Sequence, residues 1–180
     1  MDKEKDVLRR QLLMRPQTTP EPEISRYMIR HLECYGKKMK IFCYCSTPAE
    51  PDTWEIINFC LANGFPLSVP FCKNDSSMKA RCIQSREELT PGLFGILEPP
   101  KNAPIMRNPE IIIVPGLAFD RQGYRIGKGR GYYDRYLRYT WGVSIGLCFH
   151  DFLLPSIPRD GWDVPVDFVV TRNGLFESER

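Results

Sequence analysis

The chain has 180 residues, of which 42% are hydrophobic and 26% charged, with a formal net charge of +3. That balance fits one globular domain over residues 1–180, large enough for its own core. No apolar stretch approaches the roughly 20 residues that span a bilayer, which excludes a membrane-spanning helix, and a charge this small demands no nucleic-acid partner.

The opening MDKEKDVLRRQLLMRP mixes both charge signs and lacks a signal-peptide apolar region, so a cytoplasmic location is expected. Near-helical spacing of Val7, Leu8, Leu12 and Leu13 predicts a helix over 3–13, broken by Pro16, Pro20 and Pro22. A second helix is expected over 23–35, stopped by Gly36. Residues 40–45 (KIFCYC) read as a buried strand, and 46–52 as a loop. Thr53 is placed to cap a helix over 54–62 that Asn63-Gly64 closes. A strand follows at 67–71, and 79–84 reads as an edge or hairpin strand.

Residues 87–108 hold four prolines, with Pro109 just beyond, and read as irregular. The clearest strand is 111–114, followed by a glycine-rich loop, a helix over 131–139, a strand at 143–149 and a last short strand at 167–171. Strand-helix alternation of this kind predicts an α/β fold: a single-domain, three-layer sandwich around a mostly parallel, Rossmann-like sheet. Ligands in such sheets bind beyond the carboxyl ends of the strands, so the loops 45–50, 115–131 and 149–163 should converge. The seven cysteines form no C-x-x-C pair, and with only two histidines the chain reads as holding reduced, mostly buried thiols and no zinc.

The stretch 111–137, IIIVPGLAFDRQGYRIGKGRGYYDRYL, carries the most chemistry. Gly127, Gly129 and Gly131 alternate with Lys128 and Arg130. Glycine lets backbone N–H groups approach an anion closely, and the two cations can reach two sides of a polyphosphate. The spacing is neither that of a Walker A motif nor of the dinucleotide fingerprint. A glycine-rich surface turn remains the plain alternative. Asp134 falls in the first turn of the next helix, where it suits the dipole or a magnesium ion, with Asp163 or Asp167 as a second ligand. Glu50 reads as an exposed loop carboxylate or as a substrate acceptor. Lys5 and Arg9 share a helix face, which by itself reads as solvated.

The segments Pro115-Gly-Leu-Ala-Phe-Asp120, Gly123, Arg125 and Gly127-Lys-Gly-Arg-Gly-Tyr-Tyr-Asp134 resemble the signature of the 5-formyltetrahydrofolate cyclo-ligases, also called methenyltetrahydrofolate synthetases. The resemblance extends to Lys5-Asp-Val-Leu-Arg9, to Ser46…Glu50…Thr53, and to Trp162-Asp-Val-Pro-Val-Asp167. It implies an ATP- and Mg2+-dependent conversion of 5-formyltetrahydrofolate, with or without a polyglutamate tail, to 5,10-methenyltetrahydrofolate by a monomer. It further implies ATP contacts from Lys5, Arg9, Arg125, Gly127, Lys128, Gly129, Arg130, Gly131, Tyr132 and Tyr133. Lys128 and Arg130 would stabilise the transition state, Cys45, Glu50 and Tyr132 would hold the folate, and Asp134 and Asp163 the metal. Phe152 stands where relatives commonly have a polar residue nearby, and Cys45 where they often have a larger aliphatic one. The competing reading is a non-catalytic relative that binds nucleotide, RNA or folate. It predicts that some of Glu50, Lys128, Arg130 and Asp134 are missing, and all four are present.

Overall fold

The computed structural model describes residues 3–15, 19–74 and 77–179. In chain order the elements are α1 (Lys3–Leu13), α2 (Pro22–Glu33), β1 (Ile41–Cys43), α3 (Trp54–Asn63), β2 (Leu67–Cys72) and β3 (Met78–Ile83). The short pair β4 (Thr90–Pro91) and β5 (Leu97–Glu98) comes next, then β6 (Ile111–Val114), β7 (Ala118–Asp120), β8 (Arg125–Ile126) and α4 (Tyr132–Leu137). The chain ends with β9 (Val143–Leu147), β10 (Leu153–Leu154), β11 (Phe168–Thr171) and β12 (Gly174–Glu177).

Seven strands form one sheet in the order β12-β11-β9-β6-β1-β2-β3. The inner five are parallel, and the two edge strands are antiparallel hairpin partners. The sequence of β6, four β-branched residues without a polar face, suits a central strand covered on both sides, and all four are buried. Alternate residues of β1 feed two layers. Phe42 meets Tyr133 and Tyr136 of α4, with ring centroids 6.2 and 4.9 Å away. Its neighbour Cys43 is fully buried. Helix α2 packs on α3, β11 and β12. A three-stranded sheet, β10-β7-β8, adds a second β layer, with the Phe119 ring seated against Gly116 and Gly146. The expected α/β sandwich is present.

Several boundaries move for identifiable reasons. Helix α2 starts at Pro22, which helices accept in the first turn, and ends before Gly36 at a Cys34 cap. Thr53 occupies the N-cap position of α3 without capping it. Its Oγ1 donates instead to the Tyr44 carbonyl (2.6 Å), and Asp52 accepts the Trp54 N–H (3.2 Å). Gly64 does close that helix, in the left-handed conformation at φ 74°. Helix α4 is shorter than expected because its last turn tightens: Tyr139 and Thr140 bond to carbonyls three residues back. The loop after β6 contains the hairpin β7–β8, and the irregular segment contains β4–β5. Residues 167–171 do not end the sheet, since β12 follows through a two-residue turn. Pro16, expected to break α1, lies outside the described residues.

Candidate active site

A cavity of about 450 Å3 opens beyond the carboxyl ends of β1 and β6. From β1 the chain proceeds to β2 and β3 on one side, then crosses to place β6 on the other. The sheet order reverses between these two strands, and open α/β sheets bind ligands at such a point.

One wall is cationic. Gly129 and Gly131 take left-handed φ of 88° and 64°, which turns the loop sharply, and a Cβ at Gly129 would press on the Arg9 guanidinium at 3.2 Å. A Cβ at Gly127 would meet nothing within 4 Å, so the backbone there borders open space. Helix α1 lies against this loop: Arg9 Nε donates to the Gly127 carbonyl (2.8 Å), and its guanidinium also pairs with Asp6. Lys5 is 7% exposed and held between Asp160 (3.0 Å) and Asp163. Burial alone would lower its pKa, but the two carboxylates outweigh it and raise the pKa above the ordinary lysine value. Arg125 bridges Asp134 Oδ1 (2.9 Å) and the Val164 carbonyl (2.8 Å).

The opposite wall is largely apolar. Tyr44, Cys45, Leu93, Phe94 and Ile96 line it. Burial pushes the Cys45 thiol up to about 12, so it serves as an apolar surface, not a nucleophile. Phe94 is exposed, sits at φ 63°, and carries the Arg130 guanidinium 4.9 Å from its ring centre. The two walls also meet at a charged contact. Lys128 Nζ lies 3.1 Å from Glu50 Oε1 and donates to Thr47 Oγ1 (3.1 Å). Glu50, 9% exposed, is oriented by the Thr47 N–H and hydroxyl on its other oxygen.

A family model for the 5-formyltetrahydrofolate cyclo-ligases matches residues 2–172. The chain belongs to this family. It is 29% identical to the 5-formyltetrahydrofolate cyclo-ligase of Mycolicibacterium smegmatis, with 93% of each chain covered. It superposes on the Aquifex aeolicus 5,10-methenyltetrahydrofolate synthetase with a TM-score of 0.81 at 30% identity, covering 98% of this chain and 93% of that one. The Mycoplasma pneumoniae synthetase, at 20% identity and TM-score 0.72, shares the fold.

The cavity gathers the residues singled out within the cyclo-ligase signature: Lys5, Arg9, Cys45, Glu50, Arg125, the glycine loop, Tyr132, Tyr133, Asp134 and Asp163 all line it. Several sit in settings that the sequence did not disclose. Lys5 is an inner ion-pair group, not a solvated one. Glu50 is buried against Lys128, not loosely exposed. Arg125 has its guanidinium engaged with Asp134 and Val164. Tyr132 donates to the Lys73 carbonyl (2.7 Å), tying the loop to the β2–β3 turn. The Tyr133 hydroxyl is buried without a partner among the described residues. Asp120 of the signature is a scaffold group: fully buried, it accepts the N–H groups of Gln122, Tyr124 and Ile157.

Of the third expected loop, only Asp160, Trp162 and Asp163 reach the cavity. Phe152 packs edge-on against Phe149, away from it. Asp167 is likewise elsewhere, accepting the Ser144 N–H and hydroxyl (2.8 and 2.7 Å). The cavity also includes residues the sequence did not single out for the site, among them Phe94, Glu98, Arg138 and Asp160.

For a metal ion, Asp134 and Asp163 form a suitable donor pair. Val164 N–H bonds to Asp134 (3.3 Å), which ties Asp134 to the backbone next to Asp163, and both residues line the cavity. Each takes its hydrogen bonds on one oxygen, Oδ1 of Asp134 and Oδ2 of Asp163, and leaves the other uncommitted among the described residues. Magnesium, which usually takes one or two protein carboxylates and fills the rest with phosphate and water, fits that set. No cluster of three or more His, Cys, Asp or Glu able to hold a metal occurs among the described residues. No described helix is long and apolar enough to cross a membrane.

Proposed function

We propose that the chain converts 5-formyltetrahydrofolate, with or without a polyglutamate tail, to 5,10-methenyltetrahydrofolate at the expense of ATP, as a cytoplasmic monomer. The 3.1 Å contact between Lys128 and Glu50 carries this reading. It joins a phosphate-binding wall to a substrate wall, so a γ-phosphate and a formyl oxygen can lie side by side.

A formamide oxygen is a poor leaving group. In the proposed sequence it attacks the γ-phosphorus, the bond to the bridging oxygen breaks, and ADP departs. N10 of the folate then attacks the formyl carbon, losing its proton to water, and the C–O bond breaks to release phosphate. Lys128 and Arg130 offset the charge that builds on the transferring group. Lys5, Arg9, Tyr132, Tyr133 and the loop glycines shape the nucleotide side, and Arg125 positions Asp134. Asp134 and Asp163 would hold Mg2+, which supplies positive charge to the phosphate oxygens. Glu50 accepts from the pterin's donor edge once Lys128 turns to phosphate, with Cys45 and Tyr132 beside it.

The test is direct. The folded protein is mixed with 5-formyltetrahydrofolate and Mg2+-ATP, and near-ultraviolet absorbance follows the methenyl product. Product that requires ATP is the expected result, and its absence overturns the proposal.

A further inference from the structure

One aromatic on the cavity rim has no role in the proposed chemistry. Trp162 lines the cavity and is 60% exposed. Its backbone is nevertheless fixed on both sides. Arg138 Nη2 donates to its carbonyl (2.8 Å), the Asp163 N–H bonds to Asp160 O (3.0 Å), and Val164 is tied to Asp134 and Arg125. A broad ring held out from a pinned backbone is a stacking surface that needs little further ordering to bind. Trp141, 97% exposed, lies outside the cavity and has no such setting.

Position indicates what Trp162 stacks. In the proposed reaction the γ-phosphate lies at Lys128, beside Glu50. The carboxylates suited to metal, Asp134 and Asp163, line the same cavity, and Trp162 is the immediate neighbour of Asp163. It meets Arg138 just past the end of α4, the helix that leads away from the glycine loop. A triphosphate held at Lys128 and at the two carboxylates therefore directs its nucleoside toward this rim. We infer that Trp162 is the platform on which the nucleobase of the phosphoryl donor stacks. The inference rests on the proposed ATP dependence.

The full chain is titrated calorimetrically with Mg2+-ATP and with Mg2+-tripolyphosphate, which lacks a base. Stacking on an aromatic is worth about 10- to 100-fold in binding. Trp162→Ala is expected to weaken ATP by that factor, leaving tripolyphosphate and 5-formyltetrahydrofolate unchanged, while Trp162→Phe recovers most of the loss and Trp141→Ala has none. In Trp141→Phe, ATP should quench tryptophan emission and tripolyphosphate should not. ATP affinity in Trp162→Ala within twofold of the parent overturns the inference, as does an equal loss of tripolyphosphate. Both leave the proposed function standing, whereas a parent protein that binds no ATP and makes no product overturns that function and the inference with it.

Discussion

The two walls of the cavity are built in different ways. On the glycine-loop wall, charged groups are held by charged partners: Lys5 by Asp160 and Asp163, Arg125 by Asp134, Lys128 by Glu50. Most of the facing wall, Leu93, Phe94 and Ile96, comes from the segment between β3 and β6, a flap of short strands and single turns. It is held by apolar contacts, backbone bonds and one buried carboxylate, Glu98. The contrast matches two tasks. Developing charge is best met by dipoles and cations fixed in advance, since reorganising them would consume the stabilisation they give. An aromatic substrate needs area and fit, which an apolar flap supplies.

The largest expected effect tests the cationic wall. Lys128→Ala should lower kcat about 100- to 1000-fold, the scale seen when one preorganised charge stabiliser is removed. Folate affinity measured without ATP should hold, because Glu50 is then freed from its partner. An equal fall in both would mean that Lys128 binds ground and transition states alike, and the division between walls would collapse. Lys5→Met comes next. It leaves Asp160 and Asp163 facing each other without the buried cation and should cost about 3 kcal/mol in denaturant unfolding. Because the folded-state pKa of Lys5 is raised, its contribution is complete at neutral pH and fades only as pH climbs past about 10.

The two walls also differ in how far the sequence disclosed them. The glycine loop announces itself because its residue types are poor for a core and good for an anion. Lys5 and Arg9 were ambiguous: helical spacing puts them on one face but cannot say that Asp160 and Asp163 wait there from 155 and 158 residues away. Glu50 lacked a partner in the sequence for the same reason, since Lys128 arrives by tertiary folding. The flap was legible only as irregular, because prolines mark where regular structure stops and not where the chain goes. Nothing local says that Phe94 takes a left-handed φ over a cavity. The hairpin β11–β12 did leave a signal, Asn173-Gly174 between two apolar runs.

Gly92→Ala tests the flap alone. A Cβ there would overlap the Glu98 side chain, and overpacking of that kind costs about 1–3 kcal/mol. Folate binding should weaken while Mg2+-tripolyphosphate binding stays as it was. Loss of both would show that the walls do not act separately.

The smallest expected effect concerns Glu98, the carboxylate beneath that flap. It is 7% exposed, and burial raises its pKa, although the N–H groups of Cys72 and Leu93 pull the other way. A carboxyl whose folded-state pKa is raised binds its proton more tightly folded than unfolded. Its contribution is therefore complete below the ordinary glutamate value, about 4.3, and is lost as pH rises through the folded value. Glu98→Gln keeps the shape and removes the titration. The variant should match the parent near pH 4 in thermal unfolding and gain on it toward pH 7. A variant that instead loses ground to the parent as pH rises from 4 to 7 would place the charge of Glu98 among the flap's supports, and the flap would then be held electrostatically like the wall it faces.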